Sequence, residues 1–510
     1  MRRTLSLIAL HAGLAVIAAA QTLTPTPTPA PSGPPPTHSV ALDRVVAPTR
    51  ADLAGAYMRL EREIEAKGGP LKGAGTRTNN RFDQATSAIF GGAVGAAIGQ
   101  LDYETASLRR GHETLPQHVI SMSMQVRIDP PVWRPGMAPP RLTASPLYDV
   151  EFDGSRYAAP RVVLALTDGS GTVRAEHEVE FSKDAAWPWS AALFSEDIPA
   201  DLRPGVYTVM ARWAEGAPTP FEVGRWQIVP RSMDAAREAN EARLSAAERA
   251  EPGLTRAIGM IRSRNALLSD SPSPDILPQW LADQSALADE VDAEIVSIEQ
   301  GVDPFIGRTG GWWCRLPSSG VEIPLRVYIP ANLPEGPAPL VVALHGMGGD
   351  ENMFMDGYGA GVIRRLADEH GFIVVSPEGS GMAYVASFDA LVDAVSDWRA
   401  VDRSRVHLVG HSMGAGLAMT IARQRPNAVA SMALIAGGGS FPAPGAPMPR
   451  CLVVGAELDM MVRAAALEQA ALGARERGLP VEHRTIADQG HTLVVGAALP
   501  DVVDWLMPAR

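Results

Sequence analysis

The run Val406-His407-Leu408-Val409-Gly410-His411-Ser412-Met413-Gly414-Ala415-Gly416 carries an apolar strand pattern into a helical one. A Gly-x-Ser-x-Gly sequence at a strand-to-helix junction forms a nucleophile elbow. Its strained turn lifts the serine hydroxyl above the sheet and aims the next N–H at a reacting carbonyl. Side chains two residues either side of the serine would collide with the turn, which is why Gly410 and Gly414 stand there. Ser412 is therefore the candidate nucleophile.

A serine hydroxyl attacks poorly at neutral pH unless a general base takes its proton and a carboxylate orients that base. At an elbow of this kind the chain order is Ser, then Asp or Glu, then His. Cys451-Leu-Val-Val-Gly-Ala-Glu457-Leu-Asp459-Met-Met-Val462 is a strand running into an acidic loop. Asp459 is the expected acid, with Glu457 as the alternative and Asp488 as a weaker rival inside the histidine's own loop. His491 follows the strand pattern Val481 to Ile486 and precedes the final helix, so it is the expected base. His411 is fixed beside the nucleophile, His345 belongs to the early glycine-rich loop, and His370, His407 and His483 read as surface or strand positions. An oxyanion site needs two backbone N–H groups aimed at developing negative charge. Met413 N–H supplies one. The other is expected from Leu344-His345-Gly346-Met347-Gly348-Gly349-Asp350, at Met347, with Gly346 as the alternative. That loop lacks G-K-[ST], which excludes a phosphate-binding P-loop.

Around these residues, apolar runs alternate with helical patterns. Leu325 to Ile329, Leu340 to Leu344, Phe372 to Ser376, Val406 to Gly410, Ser431 to Ile435 and Cys451 to Gly455 read as strands. Phe388, Leu391, Val395 and Trp398 give one helical face, and Val502, Val503, Trp505 and Leu506 close the chain with another. Such alternation implies a mostly parallel α/β sheet flanked by helices.

Leu344-His-Gly-Met-Gly-Gly-Asp-Glu-Asn352, Val374-Val-Ser-Pro-Glu-Gly379, Val401 to Gly414 and Gly490-His491 together resemble the α/β-hydrolase superfamily. Within it they resemble secreted esterases related to feruloyl esterases and polyhydroxybutyrate depolymerases. The resemblance spans roughly Gly311 to Arg510. It implies Ser412, Asp459 and His491 as a catalytic triad, Met347 and Met413 as oxyanion donors, and cleavage of carboxylic esters through an acyl-enzyme. Ala415 departs from relatives that carry a third glycine there. A prolyl-oligopeptidase-type serine peptidase shares the elbow and the order of the triad. The upstream β region is far too short for a propeller at roughly forty residues per blade. A non-catalytic binding protein with a hydrolase-like fold is the third reading, and the complete set of three residues argues against it.

The rest of the chain divides by period and composition. Arg2 and Arg3 precede the apolar stretch Leu5 to Ala20, and Ala18-Ala19-Ala20 before Gln21 supplies a small-residue cleavage pattern. Residues 1–20 therefore read as a signal peptide, which implies export to the periplasm or outside the cell and no stable membrane span after cleavage. A Thr/Pro-rich linker at 21–42 cannot form a core. Residues 43–115 read as helical, with helices at Arg81 to Phe90 and Ala93 to Arg110 around Gly91-Gly92, and no chemistry is assigned to them. Residues 116–231 turn to period two, from Val119 to Ile128 onward, and read as an immunoglobulin-like β-sandwich. Trp187, Trp189, Trp213 and Trp226 are expected to pack there. Residues 232–302 form a helical connector, and 303–510 the catalytic unit.

Of 510 residues, 46% are hydrophobic and the net charge is -12, which excludes a wholly disordered chain and argues against a basic nucleic-acid-binding surface. Cys314 and Cys451 allow at most one internal disulfide and no multi-cysteine metal site. No cofactor is needed when the chain itself supplies nucleophile, base and oxyanion donors. The interval from Ser412 to Asp459 already holds a helix, a strand and a loop, which leaves no length for a helical cap. The expected site is an open cleft walled by loops such as Gly438 to Pro447 and Met353 to Gly361, suited to bulky or polymer-attached esters.

Overall fold

The computed structural model describes residues 39–42, 46–71, 75–109, 116–153, 161–181, 186–215, 219–318, 320–379 and 385–508. Residues 1–20, expected to be a signal peptide, and most of the Thr/Pro-rich stretch lie outside the described residues.

Strand β1 (Ser39–Leu42) is followed by helices α1 (Arg50–Ala66), α2 (Gly75–Phe90), α3 (Val94–Arg109) and α4 (Pro116–Met122). Thr49 caps α1 through a capping box with Asp52. Gly91 and Gly92 turn the chain between α2 and α3, and the positive φ of Gly92 (77°) is one that a glycine adopts without strain. Helix α2 begins six residues before the Arg81 expected from periodicity, a difference that matters below. The stretch Val119 to Ile128, read as one strand, is a helix up to Met122 and a strand only from Met124. Proline fits the first turn of a helix, and Pro116 starts this one.

Strands β2 (Met124–Asp129), β3 (Val132–Trp133), β4 (Arg141–Pro146), β5 (Val150–Asp153), β6 (Arg161–Thr167), β7 (Val173–Glu180), β8 (Trp189–Ala192), β9 (Gly205–Trp213) and β10 (Phe221–Ile228) come next. They form a five-stranded sheet in the order β3-β10-β9-β6-β7 and a three-stranded sheet in the order β2-β4-β8, while β5 pairs with β1. The alternating burial of β9 is that of a strand with one face on a core. Trp213 and Trp226 are buried, and Trp187 and Trp189 pack partly buried against the same core.

Helices α5 (Met233–Ala250), α6 (Thr255–Asn265), α7 (Leu277–Leu281) and α8 (Gln284–Glu299) lead into the C-terminal sheet. Its strands are β11 (Gly310–Ser318), β12 (Val321–Ile329), β13 (Ala338–Leu344), β14 (Ile373–Pro377), β15 (Val401–His411), β16 (Ser431–Ile435), β17 (Arg450–Ala456) and β18 (Val481–Ile486). The order is β11-β12-β14-β13-β15-β16-β17-β18. β11, β12 and β14 pair antiparallel and the remainder parallel, so the sheet is mixed. Helices α9 (Val362–His370), α10 (Val385–Trp398), α11 (Met413–Gln424), α12 (Ala464–Glu476) and α13 (Val494–Leu506) flank it.

Because successive strand residues point to opposite faces, the sheet feeds two cores. Val341, Ala343, Val374, Val409 and Val454 share one with α9, α13 and the upstream helices α1 to α3. Leu340, Val342, Val375, Leu408 and Val453 share the other with α10, α11 and the helices α5, α6 and α8. The hydrolase-like sheet and the segments before it are therefore covered by common cores rather than by separate ones. Arg264 of α6 donates to the carbonyl of Trp313 at 2.9 Å and pairs with Glu294 of α8, which ties the edge strand β11 to both helices. Cys314 and Cys451 are both buried and unpaired.

Candidate active site

β15 ends at His411 and α11 begins at Met413, so Ser412 is the single residue of the turn. Its φ of 52° and ψ of -113° lie where a non-glycine residue is strained, the conformation an elbow imposes. The flanking glycines are required by backbone crowding. A Cβ on Gly410 would fall 2.3 Å from the Gly414 carbonyl oxygen, and one on Gly414 would fall 2.0 Å from that of Leu344. Gly437 is a third such position, 2.5 Å from the Ser412 carbonyl oxygen, and it was not singled out from the sequence. Ala415 is fully buried in the helix packing, so its methyl group is accommodated.

Ser412, His491 and Asp459 come together. Ser412 Oγ lies 3.0 Å from His491 Nε2, and His491 Nδ1 lies 2.8 Å from Asp459 Oδ2. Asp459 Oδ1 accepts from the N–H groups of Met461 and Val462 at 2.8 and 2.7 Å, which holds the carboxylate by its own loop. Glu457 accepts instead from Asp488 N–H, so this alternative acid links two loops and is turned away from the imidazole.

The peptide between Gly346 and Met347 is pinned by its oxygen. Gly346 O accepts from Gly349 N–H at 3.2 Å and from His345 Nδ1 at 2.8 Å. The C=O and N–H of one planar trans peptide point in opposite directions, so these bonds aim Met347 N–H the other way. Gly346 N–H is directed to the Tyr358 hydroxyl at 3.4 Å, which separates it from the oxyanion role. Met413 is the first residue of α11, so its N–H has no acceptor within the helix and projects from the positive helix end.

A second hydrogen-bonded chain runs behind the first. Tyr358 OH donates to His411 Nδ1 at 2.8 Å, and His411 Nε2 donates to the His491 carbonyl at 2.9 Å. Burial, and then the neighbouring His491, pushes His411 well below the usual histidine range and keeps it neutral. His411 thus braces the base loop without competing for its proton.

Two further residues were not anticipated. Asp83 and Asn79, one turn apart on α2, are both buried against the His491 loop. Asp83 Oδ1 accepts from His491 N–H at 3.1 Å and Asn79 Oδ1 from Gly490 N–H at 2.6 Å, while Asn79 Nδ2 donates to Asp488 O at 2.8 Å. Gly490 is the trace of this contact in the sequence: a Cβ there would sit 3.1 Å from Asn79 Oδ1 and 3.2 Å from Asp83 Oδ1. The surroundings also differ from a cleft walled by Met353 to Gly361. Phe354, Met355 and Tyr358 are buried, and α1 lies so close that a Cβ on Gly357 would be 2.8 Å from the Tyr57 ring. Met347, Met413, Met460 and Met461, beside the oxyanion loop, the serine and the acid, are exposed. Among the described residues, no cluster of three or more His, Cys, Asp or Glu side chains is arranged to hold a metal ion.

Residues 339–486 match the family model for the alpha/beta hydrolase fold. The C-terminal unit has the α/β-hydrolase fold. This chain is 31% identical over 134 residues to a bifunctional acetylxylan esterase/xylanase of Neocallimastix patriciarum, a stretch covering 24% of this chain and 19% of that protein. It is 34% identical over 110 residues to the dihydrolipoyllysine-residue acetyltransferase component of the acetoin cleaving system of Pseudomonas putida, covering 21% of this chain and 28% of that one. The chain thus spans only 19% and 28% of the length of these two curated relatives. Among solved structures it is similar to an esterase of Pyrobaculum calidifontis, at 21% identity and a TM-score of 0.32, covering 40% of this chain and 85% of that one. No helix among the described residues is long and apolar enough to cross a membrane.

Proposed function

We propose that this protein is an exported serine hydrolase that cleaves carboxylic esters through an acyl-enzyme, with Ser412 as nucleophile, His491 as general base and Asp459 as the acid that orients it. The observation that carries the reading is the continuous hydrogen-bonded chain Ser412 Oγ–His491 Nε2, His491 Nδ1–Asp459 Oδ2, at 3.0 and 2.8 Å. The match to the hydrolase family model and the partial similarity to an acetylxylan esterase support the choice of an ester as substrate.

Ser412 Oγ attacks the ester carbonyl carbon while His491 Nε2 takes its proton. Asp459 accepts the Nδ1–H bond and stabilises the imidazolium that results. The negative charge on the former carbonyl oxygen is received by the N–H groups of Met347 and Met413. Collapse breaks the bond to the alcohol, which leaves with the proton from His491. Water then gives its proton to His491 and attacks the acyl-serine, releasing the carboxylic acid and restoring Ser412. Exposed Met347, Met413, Met460 and Met461 offer an apolar, adaptable approach for the ester. Export rests on residues 1–20, and the helical and sandwich-like segments, at 43–115 and 116–231, are read as accessory to the catalytic unit.

Hydrolysis of p-nitrophenyl acetate by the wild type and by Ser412→Ala tests the reading. Activity that disappears with the hydroxyl supports it. Near-equal activity of the two proteins contradicts it.

A further inference from the structure

We propose that Asp83, assisted by Asn79, is a positioning residue for the base: α2, from far upstream in the chain, holds the loop bearing His491 at the distance from Ser412 and Asp459 that proton transfer requires. The proposal rests on the assignment of His491 as base made above.

Asp83 reaches both catalytic loops. Its Oδ1 accepts from His491 N–H at 3.1 Å, and its Oδ2 from Met460 N–H, next to Asp459, at 3.5 Å. Asn79 takes Gly490 N–H and the Asp488 carbonyl with its amide. The backbone of residues 488 to 491 therefore leans on α2 at three points. Asp488 itself has a positive φ of 58°, so the loop is held in a conformation that it would not favour unaided. The Gln489 side chain adds a contact just upstream of α2 by donating to the Leu71 carbonyl at 3.0 Å. Without these partners, buried N–H groups beside the imidazole would be left unsatisfied, and the loop would have to shift to find others.

The choice of a carboxylate has a cost that a purely structural contact would avoid. Asp83 faces Asp459 on the acid loop and His491 on the base loop, the two groups whose charge it feels. Burial and then Asp459 push its carboxyl up to about 6, against the pull of His491 and the two N–H bonds. An anion kept there at neutral pH also favours the protonated imidazole that forms when Ser412 attacks.

The experiment compares wild type, Ser412→Ala, Asp83→Ala, Asp83→Asn and Asn79→Ala, as full-length protein on p-nitrophenyl acetate. It measures kcat, KM, the pH profile of kcat/KM and the melting temperature. Misplacement of a reacting group by about 1 Å costs on the order of 100-fold. Asp83→Ala should therefore lower kcat by about 10- to 100-fold with KM within about twofold. Asp83→Asn keeps an acceptor for His491 N–H and should recover most of kcat. Having lost the charge, it should move the acidic limb of the kcat/KM profile to lower pH. Asn79→Ala should lower kcat less than Asp83→Ala does. If Ser412→Ala matches the wild type, the assignment of the base falls, and this proposal with it. If hydrolysis depends on Ser412 but Asp83→Ala and Asn79→Ala turn over at the wild-type rate, this proposal alone is overturned. Should Asp83→Ala fail to fold, Asn79→Ala decides, since Asn79 holds Gly490 N–H and the Asp488 carbonyl on the same loop: a kcat equal to that of the wild type overturns the proposal.

Discussion

The N–H of Gly490 donates to Asn79 Oδ1 at 2.6 Å, joining the residue before the candidate base to a helix 411 positions away in sequence. The hydrolase-like sheet is thus completed at its active edge by a segment outside it. The segment before Asp303 therefore contributes contacts to the candidate site as well as to the shared cores.

A chain that begins at Asp303 tests that dependence. It lacks α6 and α8, which cover Trp313, Cys314 and Leu316 on the edge strand, as well as α2 behind His491. Uncovering a large apolar side chain costs about 1.5–3 kcal/mol, and a few of them approach the roughly 5–15 kcal/mol stability of a typical domain. The shortened chain should be poorly soluble or without a cooperative melting transition. A sharply melting, fully active fragment would contradict the shared cores.

Substitutions at the two acids should separate them. Asp459→Asn retains shape but leaves the His491 Nδ1 bond misdirected, so kcat should fall by about 10³- to 10⁴-fold. Glu457→Gln removes only the charge on a group bonded to Asp488 N–H and should keep kcat within about fivefold, since that bond lies away from the imidazole. Steady-state kinetics on a chromogenic ester reads both. The reverse order would move the acid to Glu457.

The elbow glycines should not tolerate even a methyl group. At Gly414 a Cβ would be 2.0 Å from a backbone oxygen of β13, which cannot swing aside as a side chain would. Gly414→Ala is expected to lose Ser412 labelling by a fluorophosphonate and to melt well below the wild type. Normal labelling would mean that the turn has room that the close approach of β13 denies.

Stability should carry a pH signature from Glu61. Its carboxyl, buried on α1 and bonded by Tyr57 OH at 2.7 Å, is pushed up to about 7 by burial, from an ordinary 4.5. The folded state favours the protonated acid, so this group's contribution is fully present below about 4.5 and is lost as pH rises through 7. Glu61→Gln should gain on the wild type over that window, by on the order of 3 kcal/mol above it. Urea unfolding of both proteins at pH 4.5 and 7.5 measures the gap, and a gap independent of pH would contradict the burial of an ionisable carboxyl there.

Strands β12 to β18 and the three residues Ser412, Asp459 and His491 were legible because each has a local signature: apolar runs of strand length, and a strand, turn and helix in fixed order. β11 was less so, because its Trp-Trp-Cys run is buried on both faces and carries no alternation. The start of α2 was missed because Thr76 to Asn80 is polar, and its buried Thr78 and Asn79 face other polar groups rather than an apolar core. Thr78 Oγ1 donates to Glu104, and Asn79 binds the backbone around Gly490. Helical periodicity counts apolar positions, so a helix face that buries hydrogen bonds is invisible to it. Contacts such as Asp83 to His491 leave no local mark either, except the glycine that makes room for them.

In the proposed reaction Ser412 carries the acyl group. Acid quenching during turnover of p-nitrophenyl acetate, followed by peptide mass mapping, tests it most directly. An added acetyl group is expected on the peptide containing Ser412, and none on the same peptide of Ser412→Ala. Steady turnover with no acetyl on that peptide, or with the label on another residue, would contradict it.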